Sequence, residues 1–306
     1  MATAWALHRC SSLAYQRAAF ASTVISGRTQ GITVSSPSGV GGFRAWKSIR
    51  LARNYCYSPT STDTAFVVAN DDKYGKKQII SLTPRLYDYI LSNVREPEIL
   101  RQLREETATF RGSQMQVSPD QAQLLALLVQ IIGAQRCIEV GVYTGYSSLA
   151  VALVLPESGC LVACERDANS LDVAKRYYER AGVSHKVNVK HGMAADILSS
   201  LIMNGEASSY DFAFVDAEKR MNQEYFELLL QLVRVGGVIV IDNVLWHGKV
   251  ADPLVNDAKT VSIRNFNKTI TEDKRVSIRI FTALFGMVGG GQVCPTAANN
   301  ANIDWW

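Results

Sequence analysis

The sequence predicts an α/β fold with a doubly wound, mostly parallel sheet. From residue 84 onward, short apolar runs alternate with segments of helical periodicity, the order expected of a sheet covered by helices on both faces. The apolar runs are continuous rather than alternating, as in strands buried on both sides. The sequence shows neither an internal repeat nor a second core, so residues 76–280 of the 306-residue chain are predicted to form one domain.

Three helices are predicted ahead of the first strand. Two short polar helices span 84–94 and 97–107, and Pro97 takes the first position of the second, where its missing N–H costs nothing. The third begins at a capping box in which Ser118 is the N-cap and Gln121 reaches back to it.

Five strands and four helices then alternate. The strands are predicted at 137–140, 161–164, 187–189, 212–215 and 238–241. The helices are predicted near 144–154, 169–181, 194–203 and 223–233. In a fold of this class a ligand binds at the carboxyl ends of the strands. The residues that follow each strand are therefore the candidates for a functional site.

The first 60 residues differ from the rest of the chain in charge. They contain seven basic residues, nine serines and no Asp or Glu, the composition of an organelle transit peptide. Trp5 to Phe20 mixes apolar residues with Arg9 and Arg17, as an amphipathic import helix does, and Arg53 precedes a segment that resembles a mitochondrial processing site. We expect an organellar protein, with the mitochondrion favoured over the chloroplast. If the segment is instead a disordered tail, the expected location is the cytoplasm.

The other 246 residues carry 25 basic and 28 acidic side chains, a net charge of −3. A basic surface for nucleic acid is therefore not expected. No stretch approaches the roughly 18 uninterrupted apolar residues of a membrane span. The six cysteines and four histidines show no spacing typical of zinc ligands, and a chain with this much core is not expected to depend on disulfides.

The first strand runs into a loop, EVGVYTGYS at 139–147, that favours a methyl donor over a dinucleotide. Gly141 lets the chain turn tightly beside a ligand, and the second strand ends at Glu165, which can accept hydrogen bonds from two ribose hydroxyls. A dinucleotide site needs G-x-G-x-x-G for its pyrophosphate, whereas this loop has only Gly141 and Gly145, with Glu139 just before them. That carboxylate would repel a pyrophosphate but suits the ammonium group of S-adenosylmethionine (SAM). The dinucleotide remains the less favoured alternative on spacing alone.

Three segments in order resemble the cation-dependent O-methyltransferases, the caffeoyl-CoA and catechol O-methyltransferase-like enzymes. They are 139–147, DFAFVDAEK at 211–219 and GGVIVIDNVLW at 236–246, while LYDYI at 86–90 and REPE at 95–98 resemble that family's N-terminal helices. The resemblance covers about residues 80–278. It implies a Rossmann-like class I methyltransferase fold with a seven-stranded type of sheet, SAM as the donor, and a homodimer.

The resemblance also implies which residues surround SAM. By matching position, the methionine half would be held by Glu139, Gly141, Val142, Tyr143 and Ser147. Glu165 would hold the ribose, Ala194 would meet the adenine edge through its backbone, and Met115 with Val117 would close over the donor. Asp216 is assigned to the donor side as well as to a metal.

Carboxylates also end the last two parallel strands. Asp216 ends the fourth, and Asp242 with Asn243 ends the fifth. Two carboxylates and an amide oxygen at neighbouring strand ends suit a hard divalent cation, Mg²⁺ before Ca²⁺, rather than zinc, and the resemblance implies the same three ligands. Lys219, three residues after Asp216, is the predicted general base for an acceptor hydroxyl. If these residues have no part in catalysis or metal binding, Asp216 would instead cap the following helix, Asp242 and Asn243 would form a turn, and Lys219 would be a solvated side chain.

Two segments depart from the family pattern. The segment 259–266 lacks the tyrosines that meet the substrate in the plant caffeoyl-CoA enzymes, so a CoA ester is not the expected acceptor. Trp246 either lines the acceptor pocket or packs beneath it. Residues 281–306 form an atypical tail without the family's Gly-Asp-Gly turn. We therefore expect the last strand of the sheet to be missing or altered, which would leave ladder groups unpaired.

The sequence thus predicts an enzyme that transfers a methyl group from SAM to a hydroxyl of a small vicinal dihydroxy-aromatic, a catechol or caffeoyl-type acceptor. One alternative keeps the chemistry but methylates a hydroxylated uridine of tRNA, which Arg and Lys side chains clustered around the pocket would indicate. A second alternative, raised by the altered tail, is a folded but inactive SAM-binding protein.

Overall fold

The computed structural model describes residues 66–68, 78–80, 83–280 and 285–290, all within one compact unit, Asp63–Trp306. The predicted transit peptide at 1–60 and most of the predicted tail lie outside the described residues. Strands β1 (Phe66–Val68) and β2 (Gln78–Ile80) pair antiparallel as a separate two-stranded sheet.

The helices predicted ahead of the main sheet are confirmed. Helices α1, α2 and α3 span Pro84–Asn93, Glu98–Thr107 and Pro119–Ile131. The capping box of α3 is present, and Gln121 Oε1 accepts the N–H of Ser118 at 3.0 Å. The position given to Pro97 was wrong by one residue. Pro97 is the N-cap of α2, with an extended ψ of 143°, so the helix starts at Glu98.

The predicted alternation of strands and helices is also confirmed. Strands β3 to β7 span Arg136–Val140, Cys160–Glu165, Val187–His191, Tyr210–Val215 and Val233–Asp242. Helices α4 to α7 span Tyr146–Val154, Ala168–Arg180, Ala194–Met203 and Asn222–Leu232. Helix α8 (Ala258–Glu272) and strand β8 (Val276–Ile280) follow.

Two boundaries differ from the prediction for local reasons. Helix α4 begins at Tyr146 rather than near residue 144, because Gly145 takes a left-handed φ of 91° that no α-helix contains. Strand β7 begins at Val233 rather than Val238, because Val233 pairs with Tyr210 and the strand continues through an irregular register toward Val238. Apolar periodicity did not detect the early start, since glycines interrupt the run.

The main sheet has the order β5-β4-β3-β6-β7-β9-β8, in which the first five strands are parallel. Strand β9 (Phe285–Gly290) pairs antiparallel with both β7 and β8. The last strand was expected to be missing or altered, and the first of these two outcomes was therefore wrong. Pairing uses backbone N–H and C=O groups, so a segment that lacks the family's turn motif still fills the place between β7 and β8.

The order of the strands reverses between β3 and β6, since β4 and β5 lie on one side of β3 and β6 and β7 on the other. Such a switch point opens a crevice at the carboxyl ends of the two central strands. Helices α2 to α5 cover one face of the sheet around Leu125 and Leu149, and α6 to α8 cover the other around Leu198 and Phe226. No helix in the described part of the chain is long and apolar enough to cross a membrane.

Candidate active site

The loop after β3 is held tightly against the end of β6. Gly141 has a φ of 91°, and a Cβ built on it would lie 2.8 Å from the carbonyl carbon of Asp216. The N–H of Asp216 in turn donates to the carbonyl of Val140 at 2.8 Å. Only glycine combines this backbone conformation with so close an approach. The loop and the Asp216 backbone therefore form one side of the switch-point crevice.

Glu139 is buried inside β3 with only half of its carboxylate satisfied. Its side chain is 1% exposed, its Oε1 accepts from Ser147 Oγ at 2.5 Å, and its Oε2 has no hydrogen-bond partner among the described residues. Burial raises the pKa of Glu139 to about 8; the Ser147 hydrogen bond opposes this, and the charges of Asp216 and Glu165 add to it. A buried, partly unsatisfied carboxylate of this kind is costly unless a cationic group completes it.

Glu165 ends β4 and is bound by the loops on either side of it. Its Oε2 accepts the N–H groups of Val142 at 2.9 Å and Tyr143 at 2.8 Å. Its Oε1 accepts those of Arg166 and Asp167 at 2.8 and 2.9 Å. We call residues 139–147 the donor loop. The side chain predicted to hold a ribose therefore also fixes the backbone of this loop, a role that sequence reasoning missed.

The other predicted donor-side residues lie near this loop in varying degrees of burial. Val142 is 3% exposed and Ala194 is 8% exposed. Ala194 is the first residue of α6, and two residues earlier the N–H of Gly192 donates to the carbonyl of Glu165 at 2.9 Å. Val117 is 6% exposed and Met115 is 57% exposed. Their segment approaches the loop, since the Tyr143 hydroxyl donates to the carbonyl of Arg111 at 3.2 Å.

Asp216, Lys219 and Asp242 form a charged cluster at the ends of β6 and β7, in which Lys219 and Asp242 are buried and Asp216 is half-buried. Lys219 Nζ lies 2.5 Å from Asp216 Oδ1, with Lys219 only 6% exposed. Burial and then the charge of Asp216 raise the pKa of Asp242 to about 7, against the opposing effects of Lys219 and the Asn243 N–H. That N–H donates to Asp242 Oδ1 at 2.6 Å. The structure thus brings the predicted base together with both predicted carboxylate ligands.

The chain after β7 is conformationally strained next to this cluster. Asn243, Trp246 and His247 have φ values of 59°, 42° and 55°, in the left-handed region that non-glycine residues rarely occupy. Lys259 Nζ lies 5.4 Å from the centre of the Trp246 ring and 4.0 Å from Glu218 Oε1. Trp246 is therefore held beside the segment that carries Lys219.

Comparison with known proteins identifies the family. The family model described as O-methyltransferase matches residues 91–289. The chain belongs to the O-methyltransferase family. Tricin synthase 1 from Oryza sativa subsp. japonica is 42% identical over 223 residues, which cover 69% of this chain and 88% of the relative. Caffeoyl-CoA O-methyltransferase 1 from Zea mays is 41% identical over 216 residues, 67% of this chain and 83% of the relative.

A solved structure gives the same answer for fold and cofactor. The O-methyltransferase TomG from Streptomyces achromogenes, described in complex with SAM, aligns with a TM-score of 0.61 at 34% identity, over 67% of this chain and 95% of that chain. The class I fold, the SAM dependence and the O-methyltransferase activity predicted from the sequence are thereby confirmed, and the dinucleotide alternative is excluded.

The residues of this O-methyltransferase fit SAM at the switch point. The Glu139 Oε2 atom is a buried acceptor without a partner among the described residues, and the ammonium group of a bound donor would supply the charge and the N–H that it lacks. Because Gly141 has no side chain, the loop backbone can lie directly against Asp216 at that turn. Which donor atoms each residue touches stays a prediction.

The fit to a divalent cation rests on donor chemistry. In the described part of the chain, no group of three or more His, Cys, Asp or Glu side chains could hold a metal ion. The predicted set has only two carboxylates, Asp216 and Asp242, and needs the amide oxygen of Asn243 as its third ligand. Oxygen ligands of this kind suit Mg²⁺, and the raised pKa of Asp242 indicates that added positive charge would relieve the cluster.

Three polar features of the structure went unnoticed in the sequence. A buried hydroxyl pair joins Thr107 to Thr144, and a carboxylate network joins Glu96 to Tyr146. Asn222, the first residue of α7, is 2% exposed, and neither of its side-chain amide atoms has a partner among the described residues. Thr144 and Tyr146 lie inside the loop motif, and Glu96 lies in the REPE segment. The motifs contained these residues, but spacing alone does not identify their partners.

Proposed function

We propose that this O-methyltransferase transfers a methyl group to one hydroxyl of a small vicinal dihydroxy-aromatic, with a divalent cation held by Asp216, Asp242 and Asn243. The observation that carries the proposal is the partly buried contact between Lys219 Nζ and Asp216 Oδ1 at 2.5 Å. It puts a candidate base beside a candidate metal ligand, next to the loop that Gly141 presses against Asp216.

When bound, SAM supplies an electrophilic methyl group, and the cation supplies Lewis acidity that favours ionisation of a coordinated hydroxyl. A free phenol has a pKa near about 10, so at neutral pH its unaided ionisation is rare. Lys219 would accept the hydroxyl proton at Nζ, which requires a neutral amine. The charge of a cation held by Asp216 and Asp242 would favour that neutral form, and Asp216 would keep the nitrogen in place. Glu139 and Ser147 would orient the donor, so the contribution of the chain is mainly positioning.

The relatives named above support a phenolic acceptor, since their names specify tricin and caffeoyl-CoA. The surroundings of the site support a small one. Of the basic side chains nearby, Arg220 and Lys259 face Glu218, and Arg264 donates to the carbonyls of Val250 and Asp252. A phosphate bound by Arg220 or Lys259 would have to compete with Glu218 for that cation, which disfavours a tRNA substrate.

A methyl-transfer assay with labelled SAM tests the function against its rivals. Catechol, a caffeoyl ester and an organellar tRNA transcript serve as acceptors, each with Mg²⁺. We expect label in catechol or the caffeoyl ester and none in tRNA. Label in tRNA alone would establish the nucleic-acid alternative. No label in any acceptor, with SAM bound, would favour the inactive SAM-binding protein.

We also propose a homodimer and an organellar location. Leu127 and Ile131 on α3 are 49% and 69% exposed, apolar surface of the kind that interfaces cover. Light scattering coupled to size exclusion should give twice the chain mass.

The acid-free composition of residues 1–60 supports import into an organelle. A fluorescent fusion should lose its mitochondrial signal when those residues are deleted.

A further inference from the structure

The donor loop is bound by hydrogen bonds from outside the sheet. Thr107, the last residue of α2, donates through Oγ1 to Thr144 Oγ1 at 2.8 Å. Thr107 is 0% and Thr144 2% exposed, so no water competes for this bond. The two residues are 37 positions apart, and the bond therefore joins separate elements rather than stabilising one turn.

We call this hydrogen bond between Thr107 and Thr144 the first tether. A second tether, between Glu96 and Tyr146, holds the start of helix α4. Tyr146, the first residue of α4, donates its hydroxyl to Glu96 Oε1, and Arg104 Nε and Nη2 each reach the same carboxylate at 2.8 Å. Burial alone would raise the pKa of Glu96, but the hydrogen bonds from Arg104 and Tyr146 outweigh it and the net pKa is lowered. Glu96 is therefore ionised at neutral pH and accepts from both partners.

These tethers meet the loop where Glu165 does not. Glu165 fixes the N–H groups of Val142 and Tyr143, whereas the tethers fix the side chains of Thr144 and Tyr146. Together they restrain four of the five residues between Gly141 and Ser147. A ligand loop restrained in this way loses less conformational entropy when the ligand binds.

We propose that Thr107 and Glu96 are positioning residues for the methyl donor, acting through Thr144 and Tyr146 respectively. Neither is assigned a contact with SAM. They fix the conformation in which the loop meets it, so their loss should weaken SAM binding while the acceptor side of the site is unaffected. The proposal rests on the donor site assigned above to Glu139 and its loop.

The test measures SAM affinity by titration calorimetry for T107V and Y146F, with E139Q as a reference. Each tether variant removes a hydroxyl and little volume. The loss of one intramolecular hydrogen bond corresponds to a Kd raised about 3- to 10-fold. The acceptor KM at saturating SAM should stay at the wild-type value, and T107S should restore the affinity.

T260V is the matched control for T107V. Thr260 is also 0% exposed, and its Oγ1 also donates a hydrogen bond, to Asp257 Oδ2 at 2.6 Å. Asp257 is the N-cap of α8, so this bond stabilises the start of that helix and not the loop at 139–147. T260V should lower the melting temperature and leave the SAM Kd unchanged. A merely structural role for Thr107 would give T107V the same behaviour.

The outcomes separate the tethers from the donor site. If T107V and Y146F fold and bind SAM like the wild type while E139Q does not, the tethers are wrong and the donor site stands. If E139Q binds SAM like the wild type, the donor site itself is wrong. Should T107V not be recovered folded, Y146F decides alone: an unchanged Kd overturns the proposal, and a raised Kd with an unchanged acceptor KM supports it.

Discussion

Gly141 and Asp216 are packed backbone to backbone, so closely that a methyl group on Gly141 would come within 2.8 Å of the Asp216 carbonyl carbon. This contact joins the ends of β3 and β6, the two strands at which the sheet order reverses. The donor loop and the first predicted metal ligand are therefore parts of one rigid arrangement, and a change in either should affect both.

Substituting Gly141 tests that arrangement. We expect G141A to destabilise the fold by more than the about 1–3 kcal/mol of a strained backbone position, because the steric overlap adds to the cost of a φ of 91°. G133A is the control, since Gly133 has a φ of 61° but nothing within 4 Å of a built Cβ. Denaturant unfolding should show the larger loss in G141A, and calorimetry should show weakened SAM binding only there. Equal losses would contradict the close packing.

The raised pKa of Glu139 predicts pH-dependent donor binding. The pKa is about 8 in the donor-free protein, against an ordinary value of 4.5. A proton must leave Glu139 before it can accept the ammonium of SAM. The SAM association constant should therefore rise about 10-fold per pH unit between about pH 6 and 8 and level off above that. Titration calorimetry in buffers of different ionisation enthalpy should show proton release near pH 6.5.

E139Q provides the contrast for that prediction. It should lose the proton release and bind SAM about 10- to 100-fold more weakly, as expected when a hydrogen bond to a charged group is removed. The same linkage acts on stability. Between about pH 4.5 and 8 the unfolded chain loses the Glu139 proton and the folded chain keeps it, so wild-type stability should fall with rising pH in this window, by more than that of E139Q. Identical pH profiles would rule out the assigned titration.

Lys219 is expected to act in turnover and not in donor binding. K219M should lower kcat by at least about 100-fold, the usual contribution of a general base, and change the SAM Kd little. K186M is the control, because Lys186 is another buried lysine, 8% exposed, whose Nζ donates to the carbonyl of Leu155 at 3.0 Å. K186M should be less stable but keep its kcat. Wild-type turnover in K219M would remove Lys219 from the chemistry.

Asp242 is expected to set the affinity for the cation. D242N should raise the Mg²⁺ concentration needed for half-maximal activity by at least about 10-fold, because it removes one of only two carboxylates in the proposed site. D172N, at a position where the side chain is 77% exposed on α5, should have no effect. Activity titrations with Mg²⁺ at saturating SAM give the comparison, and equal half-saturation in D242N and wild type would contradict the ligand assignment.

Periodicity and motif position predicted much of this molecule. Helix α6 begins at Ala194 and ends at Met203, as the apolar spacing indicates, and the residues after β3, β4, β6 and β7 converge on one crevice. That convergence follows from a general rule about parallel strands. It needs only the positions of the strand ends, which apolar runs show.

Partners across the fold could not be predicted in the same way. Helical spacing places Thr107 on a buried face of α2 but does not say that Thr144 is opposite, and a strand-end carboxylate such as Glu165 gives no sign that loop N–H groups bind it. Whether strand β9 would be missing or only altered could not be decided for a related reason. Its pairing depends on backbone groups that every sequence has, whereas the prediction relied on a side-chain motif.

The most direct test of the proposed mechanism is methyl transfer from labelled SAM to a vicinal dihydroxy-aromatic, measured on the same wild-type protein before and after chelation. With Asp216, Asp242 and Asn243 holding a required cation, activity should disappear in chelator and return on adding excess Mg²⁺, while calorimetry shows SAM still bound. Undiminished methyl transfer in the chelated protein would contradict the cation site and the role assigned to those three residues.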